Sequence, residues 1–314
     1  MAGSVWVLET DDDASTLLEV ADDATGVVRS IDLPDRGLRD EHVVVVSRDA
    51  VWVVHQHALV QRLGIADGTV RTISLPGGSH LDSAAVARDR LWIGTDRDRI
   101  YSLALETGEL VDEHRGFGAR EIVATPDGLW VTKGRTSKTE YRAIVAWLDG
   151  SGTIRHEVVL DGYPFSIARG SSDREVWVST TTPDYAASSI YRVAMDEAPA
   201  RVATADHRLS NLVLDGERAW CLQCDADEFV VDACRLCRVT AAGPIEPMIA
   251  NVWDLTDDGR IAVRIDAIER GSAVRKSVGR CDPVAGTFEP IYASSNIRRV
   301  AVRSTGWSEL DPLP

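Results

Sequence analysis

The chain has 314 residues, of which 44% are hydrophobic and 26% are charged, and its formal net charge at pH 7 is −15. These proportions are ordinary for a soluble globular protein, and the acidic excess argues against nucleic acid and anionic membranes as partners, because both require a basic face. No apolar stretch reaches the length of about 18 residues that a membrane helix needs, and no secretory signal precedes the first strand, so we expect a cytoplasmic location. Lys133, Lys138 and Lys276 are the lysines among 34 basic residues, and this arginine excess indicates a bacterial genome of high GC content.

Short hydrophobic strands with a tryptophan between aliphatic residues recur along the chain. Successive copies stand 38 to 47 residues apart, at Trp6, Trp52, Trp92, Trp130, Trp177 and Trp220, with a degenerate seventh copy near residues 261–263. A repeat of about 40–45 residues made only of short strands is typical of a β-propeller. The sequence therefore predicts an all-β fold over residues 1–314: a single-domain, seven-bladed β-propeller of four-stranded antiparallel blades.

The second repeat shows the predicted strand order most clearly. Residues 42–47 form an inner strand, 51–55 the second strand with its tryptophan, 58–65 the third and 69–75 the outer strand. The turn Ala66-Asp67-Gly68 joins the last two, with glycine supplying a positive φ. Similar glycine-bearing turns follow at 106–108, 125–128, 214–216 and 256–259.

The first blade lacks an inner strand of its own, because Trp6 already lies in the setting of a second strand. Residues 296–304, near the end of the chain, have the composition of the missing strand. We therefore expect a composite blade with three N-terminal strands and one C-terminal strand, which removes the exposed edges of an open array. The repeated tryptophans are expected to pack between neighbouring blades.

Two phrases, Leu91-Trp-Ile-Gly-Thr95 and Pro126-Asp-Gly-Leu-Trp-Val-Thr132, resemble the propeller repeats of sensor regulators and of streptogramin-lyase-type proteins. The resemblance covers the repeat pattern over most of the chain and implies the propeller fold. Streptogramin lyases use a histidine and a metal-binding glutamate in their late blades. In this chain no histidine follows His207.

Polar residues recur where six of the seven inner strands begin. In propellers these positions and the loops between second and third strands lie on one face, around the mouth of the central channel. The positions, aligned by their distance to the repeated tryptophan, are His42, Asp82, Glu121, Phe165, Asn211, Asn251 and Asn296. With the adjacent Arg120 and Tyr163, they are the candidate binding residues of the mouth.

Two interpretations of this ring are open. Glu121, Asn211 and Asn251, with Asp82, offer oxygen ligands of the kind that Ca²⁺ or Mg²⁺ prefers. Gluconolactonase and related organophosphatase propellers look similar, since they place Glu, Asn and Asp at channel-facing positions around a divalent ion. Alternatively, the ring lines a water-filled channel, whose wall is polar whatever its purpose.

Four histidines are predicted near the same mouth: His42, His55, His57 and His80. His55 and His57 are two residues apart, so on a strand they would project to one face. The cluster could form a transition-metal site or supply a general base, with His42 and His80 as the catalytic candidates. The alternative is loop histidines without a joint role.

Four cysteines form the pattern CxxC-x9-CxxC, at Cys221, Cys224, Cys234 and Cys237. This spacing is typical of a structural zinc site. A symmetric hairpin would instead oppose Cys221 to Cys237 and Cys224 to Cys234, with one pair on each face of the sheet. Zinc, two cross-strand disulfides and reduced thiols all remain open, and Cys281 is expected to be a buried apolar residue.

For function, the sequence favours a binding or interaction module that recognises a small molecule, peptide or protein at the mouth. Residues 133–138 and 180–185 are expected to be long loops above that face, suited to a lid or a partner contact. The alternative is a metal-dependent hydrolase or lyase, of the lactonase, esterase or streptogramin-lyase type. In it an ion on Glu121, Asn211 and Asn251 polarises a carbonyl while His42 or His80 moves the proton.

Overall fold

The structure is a computed structural model, and it describes residues 4–10, 14–21, 26–34, 42–77, 80–136, 140–215, 218–224, 234–239, 245–256, 261–267, 275–282, 284–294 and 297–302. Within these ranges the chain forms 28 β-strands. They are hydrogen-bonded into seven four-stranded antiparallel sheets, which confirms the predicted all-β class and the seven-bladed propeller. No helix in the described part of the chain is long and apolar enough to span a membrane.

Blades 1 to 4 contain the first fifteen strands and the last. Blade 1 contains β1 (Ser4–Thr10), β2 (Ser15–Ala21), β3 (Val27–Leu33) and β28 (Ile297–Val302). Blade 2 contains β4 (His42–Val46), β5 (Ala50–His55), β6 (Leu59–Gly64) and β7 (Val70–Ser74). Blade 3 contains β8 (Leu81–Ala87), β9 (Arg90–Thr95), β10 (Arg99–Ala104) and β11 (Leu110–Arg115). Blade 4 contains β12 (Glu121–Ala124), β13 (Gly128–Thr136), β14 (Tyr141–Asp149) and β15 (Ile154–Asp161).

The remaining blades follow the same order. Blade 5 contains β16 (Tyr163–Arg169), β17 (Glu175–Thr181), β18 (Ser188–Ala194) and β19 (Ala200–Ala205). Blade 6 contains β20 (Arg208–Asp215), β21 (Arg218–Cys224), β22 (Arg235–Val239) and β23 (Glu246–Ala250). Blade 7 contains β24 (Val252–Leu255), β25 (Ile261–Ala267), β26 (Arg275–Asp282) and β27 (Thr287–Ser294).

The last strand closes the ring. Strand β28 pairs antiparallel with β1, with Val300 opposite Val7 and Ala301 opposite Trp6. The sheet order β28-β1-β2-β3 is the composite blade that the sequence predicts. Because β28 supplies the inner strand of blade 1, the two ends of the repeat array are joined by backbone hydrogen bonds.

The hydrophobic core is divided among the blade junctions. The described residues form seven buried clusters, and each combines side chains of two neighbouring blades. Trp52 of blade 2, for example, packs with Leu81 and Ile93 of blade 3 and is 0% exposed. The predicted role of the repeated tryptophans is confirmed, although Trp177 is only partly buried.

One buried carboxylate anchors blade 5. Glu175 is 8% exposed and accepts hydrogen bonds from Arg192 Nε at 2.7 Å and Trp177 Nε1 at 3.3 Å. Burial raises the pKa of Glu175, but hydrogen bonds from Arg192 and from the backbone of Ser171 outweigh it, so the pKa lies below its ordinary value. Glu175 therefore stabilises the fold above the unfolded-state pKa of about 4.3, and this contribution is lost as the pH falls through the folded-state pKa.

We expect Glu175→Gln to lower the free energy of unfolding by about 1–3 kcal/mol at pH 7, because it weakens a buried charged hydrogen-bond network. The difference from the wild type should shrink as the pH falls below the unfolded-state pKa of about 4.3 and through the lower folded-state pKa of Glu175. Urea unfolding at the two pH values measures both effects. Glu197→Gln is the control, because Glu197 contacts the same Arg192 at 3.0 Å but its side chain is 59% exposed. An equal loss of stability in Glu175→Gln and Glu197→Gln would contradict the stabilising role of the buried Glu175 carboxylate.

Candidate functional site

A polar pocket of about 140 Å³ lies at the channel mouth, where blades 3, 4 and 5 meet. Its wall is built from the starts of inner strands and the ends of second strands, which is the face predicted to carry the site. The charged and aromatic lining residues are His80, Asp82, Asp96, Arg120, Lys133 and Tyr163. Four of the residues predicted from the sequence, His80, Asp82, Arg120 and Tyr163, are thus brought together.

Bulges in the inner strands place several of the predicted residues. The pairing register shifts between Leu81 and Ser83 in β8, between Pro164 and Ser166 in β16, and between Ser210 and Val213 in β20. Asp82, Phe165 and Asn211 fall at these shifts. A bulge leaves one residue unpaired in the ladder and changes the direction of its side chain. The bulges therefore account for the position of Asp82 in the pocket wall and of Phe165 beside Arg120.

Arginines and aromatic rings alternate beside this pocket. The Arg120 guanidinium lies 5.0 Å from the ring centre of Tyr163 and 5.9 Å from that of Phe165. Arg208 lies 5.3 Å from the same Phe165 ring, and Arg120 Nη1 donates to the Tyr163 hydroxyl at 3.2 Å. We call Arg120, Tyr163, Phe165 and Arg208 the arginine–aromatic stack. It joins blades 4, 5 and 6 at the mouth.

A glycine makes room for the stack. A Cβ on Gly134 of β13 would lie 2.1 Å from a ring carbon of Tyr163. Without that Cβ, the Tyr163 ring packs closely against Gly134, and it also contacts the Tyr141 ring edge to face, at a ring-centre distance of 6.4 Å. The position of Tyr163 therefore depends on glycine at residue 134.

The predicted histidine cluster is divided in the structure. His57 and His80 form a backbone bridge, and their exposed rings lie 5.4 Å apart. His55 is 4% exposed and is hydrogen-bonded to Gln61 at 2.7 Å, so it belongs to the interior of blade 2. The expectation that His55 and His57 project to one face of a strand is wrong, because β5 ends at His55 and His57 lies in the following loop. His42 is opposite His55 in the register, and its catalytic role stays a prediction, as does that of His80.

The predicted oxygen ligands have a second, conformational explanation. Asn211 and Asn251 have φ values of 46° and 61°. Asparagine tolerates this left-handed region better than most residues. Glu121 is partly buried at the start of β12 and does not line the 140 Å³ pocket. In the described ranges no three His, Cys, Asp or Glu side chains form a group that could hold a metal ion. The Ca²⁺ or Mg²⁺ site stays a prediction, and Asn296 lies outside the described residues.

The four cysteines adopt the hairpin arrangement rather than a zinc site. Cys221 is opposite Cys237, and Cys224 is joined to Cys234 by a disulfide. Cys221 and Cys237 are buried on the blade 5 side of the sheet, whereas Cys224 is buried on the blade 7 side. One zinc ion on all four cysteines does not fit this arrangement, because a regular strand directs residues three apart to opposite faces. Cys281 is buried and free, as expected.

We expect three reactive thiols per chain when the oxidised protein is unfolded without reductant, from Cys221, Cys237 and Cys281. In the folded protein all three should react very slowly, because burial raises their pKa, to about 11 for Cys237 and for Cys281. Ellman titration before and after unfolding measures this. Five thiols would show that no disulfide forms, and one would show two disulfides. Because disulfides are rare in the cytoplasm, the expected cytoplasmic location also stays a prediction.

One of the two expected long loops is mostly strand. Residues 133–136 continue β13, and the hairpin resumes with β14 at Tyr141. In this extension Arg135 is opposite Arg142. Lys133, the first residue of the extension, lines the pocket. In the second loop, Thr180 and Thr181 belong to β17, and Tyr185 lies 6.4 Å from Phe165. The rest of the first loop, residues 137 and 138, lies outside the described residues.

The sequence did not indicate Asp96 or Arg208 as residues of the mouth, and it placed Lys133 only in a loop above that face. Asp96 directly follows the second strand β9, and Lys133 lies near the end of the second strand β13. Only inner-strand positions were aligned, so second-strand ends were not considered. Arg208 is the first residue of β20, and the corresponding position of blade 5 is Tyr163. Aligning strand starts as well as tryptophans would have found it.

Comparison with known proteins supports the fold. No family model and no curated protein matches the chain. Among solved structures, it is similar to a functionally unknown protein from Desulfotomaculum acetoxidans DSM 771, with a TM-score of 0.63, 12% identity and coverage of 96% of this chain and 98% of that chain. It is also similar to Kuenenia stuttgartiensis hydrazine synthase (TM-score 0.57, 12% identity, 77% of both chains) and to the Neurospora crassa Pan2 WD40 domain (0.55, 8%, 84% of this chain and 85% of that chain). At these identities the similarity shows the propeller fold alone.

Proposed function

We propose that this chain is a recognition module whose site is the 140 Å³ mouth pocket, where it binds a small polar ligand or one group of a peptide or protein partner. The observation that carries the proposal is the convergence of charged and aromatic side chains from three blades on one concavity. Concave sites with a few convergent polar groups are the usual location of ligand binding. The propeller fold is compatible with such a role.

The size of the pocket limits what it accepts. A volume of 140 Å³ is well below the roughly 300–1,000 Å³ of sites for drug-sized ligands. The pocket therefore suits a small metabolite or a single side chain or chain end of a larger partner. The hydrolase or lyase alternative stays a prediction. This pocket does not support it, because Glu121, its proposed metal ligand, is not among the residues that line the pocket.

The proposal is tested by altering the shape of the pocket. Gly134→Ala places a Cβ in contact with the Tyr163 ring and should displace it from the wall. Gly150→Ala is the matched control, since its Cβ would meet only Arg88 at 3.4 Å. The proteins are purified from cells of the natural source, and mass spectrometry identifies what each one retains.

We expect the wild type and Gly150→Ala to retain the same molecule or peptide, and Gly134→Ala to lose most of it. Thermal unfolding of the three proteins checks that the variants are folded. Equal retention by all three proteins would place binding elsewhere, and a wild type that retains nothing would contradict a tight recognition role.

A further inference from the structure

The arginine–aromatic stack contains two guanidiniums that have no carboxylate partner in the described part of the chain. Most arginines of blades 3 to 5 form ion pairs, such as Arg174 with Asp196 at 2.9 Å and Arg192 with Glu175 at 2.7 Å. Among the described residues, Arg120 and Arg208 have no carboxylate within 4.0 Å, and their contacts are with aromatic rings and one hydroxyl. In a chain with a net charge of −15, this is a local concentration of unneutralised positive charge.

Both arginines also contain a buried donor that is unused. The Nε atoms of Arg120 and Arg208 are shielded from solvent and have no hydrogen-bond partner among the described residues. Buried polar groups in proteins are nearly always hydrogen-bonded, and an unpaired one costs free energy. A ligand or an ordered water is the expected partner of each.

A third cation completes the arrangement. Lys133 Nζ lies 5.6 Å from the ring centre of Phe117, and with Arg120 it lines the mouth pocket. Lys133 has no ion pair among the described residues either. Arg120 and Lys133 therefore offer a planar fork and a compact ammonium to the same small space.

We propose that the mouth pocket is an oxyanion site, in which a carboxylate or phosphate group of the ligand is bound by Arg120 and Lys133. The inference rests on the proposed function and names the chemistry that the pocket recognises. Tyr163 and Phe165 pack against the Arg120 guanidinium, and Arg208 packs against the same Phe165 ring. Preorganised guanidinium groups bind oxyanions with short, charge-assisted hydrogen bonds.

The same pocket also contains Asp82 and Asp96, so it carries both signs of charge. These carboxylates disfavour a bare anion and favour a ligand with an amine beside its oxyanion. An amino-carboxylate such as glycine is therefore expected to bind more tightly than acetate.

Nitrogen NMR of the arginine side chains tests the site directly. Protein labelled with ¹⁵N-arginine is titrated at constant ionic strength with three probes: inorganic phosphate, acetate and glycine. The Nε–H resonance of Arg120, assigned with Arg120→Gln, should shift saturably with at least one probe. The control variant is Arg174→Gln, because Arg174 is exposed and joins β16 to β17 on the opposite face.

We expect Arg120→Gln to weaken binding of the responding probe by about tenfold or more, as measured by calorimetry, and Arg174→Gln to change it by less than about twofold. The responding probe separates a phosphoryl group from a carboxylate and from an amino-carboxylate. No saturable shift with any probe, or equal binding by Arg120→Gln, overturns the oxyanion site. If a ligand retained by the wild type is lost in Gly134→Ala but contains no oxyanion, the recognition function stands and this inference fails.

Discussion

Replacing Trp52 by alanine is expected to lower the free energy of unfolding by about 3–5 kcal/mol. Trp52 is 0% exposed and fills the junction between blades 2 and 3. Its indole Nε1 donates to Ser47 Oγ at 3.3 Å, and the Arg62 guanidinium lies 5.6 Å from its ring centre. Alanine would leave a cavity between the two sheets. The sheets can close this cavity only by changing the angle between the blades, so most of it would remain.

Trp177→Ala is the matched control, because Trp177 occupies the same repeat position but is only partly buried. Its loss should cost clearly less than that of Trp52. Urea unfolding followed by circular dichroism gives both values. A Trp52→Ala variant no less stable than Trp177→Ala would show that the blade junctions do not dominate the stability of this fold.

Removing β28 is expected to abolish cooperative folding. A chain ending at residue 296 lacks the inner strand of blade 1, so β1 becomes an open edge. The deletion also removes Ile297, Val300 and Ala301 from the clusters that join blade 1 to blades 7 and 2. Losing one strand from two junctions at once should exceed the total stability of about 5–15 kcal/mol that is usual for a folded protein.

A chain ending at residue 302 is the control, since it keeps all of β28. It should unfold in a single cooperative transition close to that of the full chain. Differential scanning calorimetry of the two truncated proteins tests the role of closure. A cooperative transition in the shorter protein would mean that the ring does not require its last strand.

The architecture could be predicted because a short sequence repeat determines it. Each tryptophan marks a second strand, and the spacing between copies gives the size of a blade. The composite blade could be predicted because too few residues precede Trp6 to form an inner strand. Closure then needed only a strand of suitable composition at the other end, which β28 provides.

The site was predictable only in part. Asp82 and Phe165 were found because the start of an inner strand has a fixed place in the repeat. The contact of Arg120 with Phe165 and of Phe165 with Arg208 depends on how three blades pack, and no local pattern encodes it. The spacing of the cysteines left zinc and disulfides open for a related reason, because the strand pairing that separates the two pairs involves residues outside the motif.

The central claim is that the mouth pocket recognises a ligand, and fluorine NMR tests it most directly. Protein labelled with 3-fluorotyrosine should give a resonance for each of its 6 tyrosines, with Tyr163 assigned through Tyr163→Phe. The low-molecular-weight fraction of an extract from the source cells is then added. We predict that the Tyr163 resonance shifts or broadens while those of the buried Tyr101 and the partly buried Tyr191 do not. A Tyr163 resonance that stays unchanged while other tyrosines respond would contradict the account.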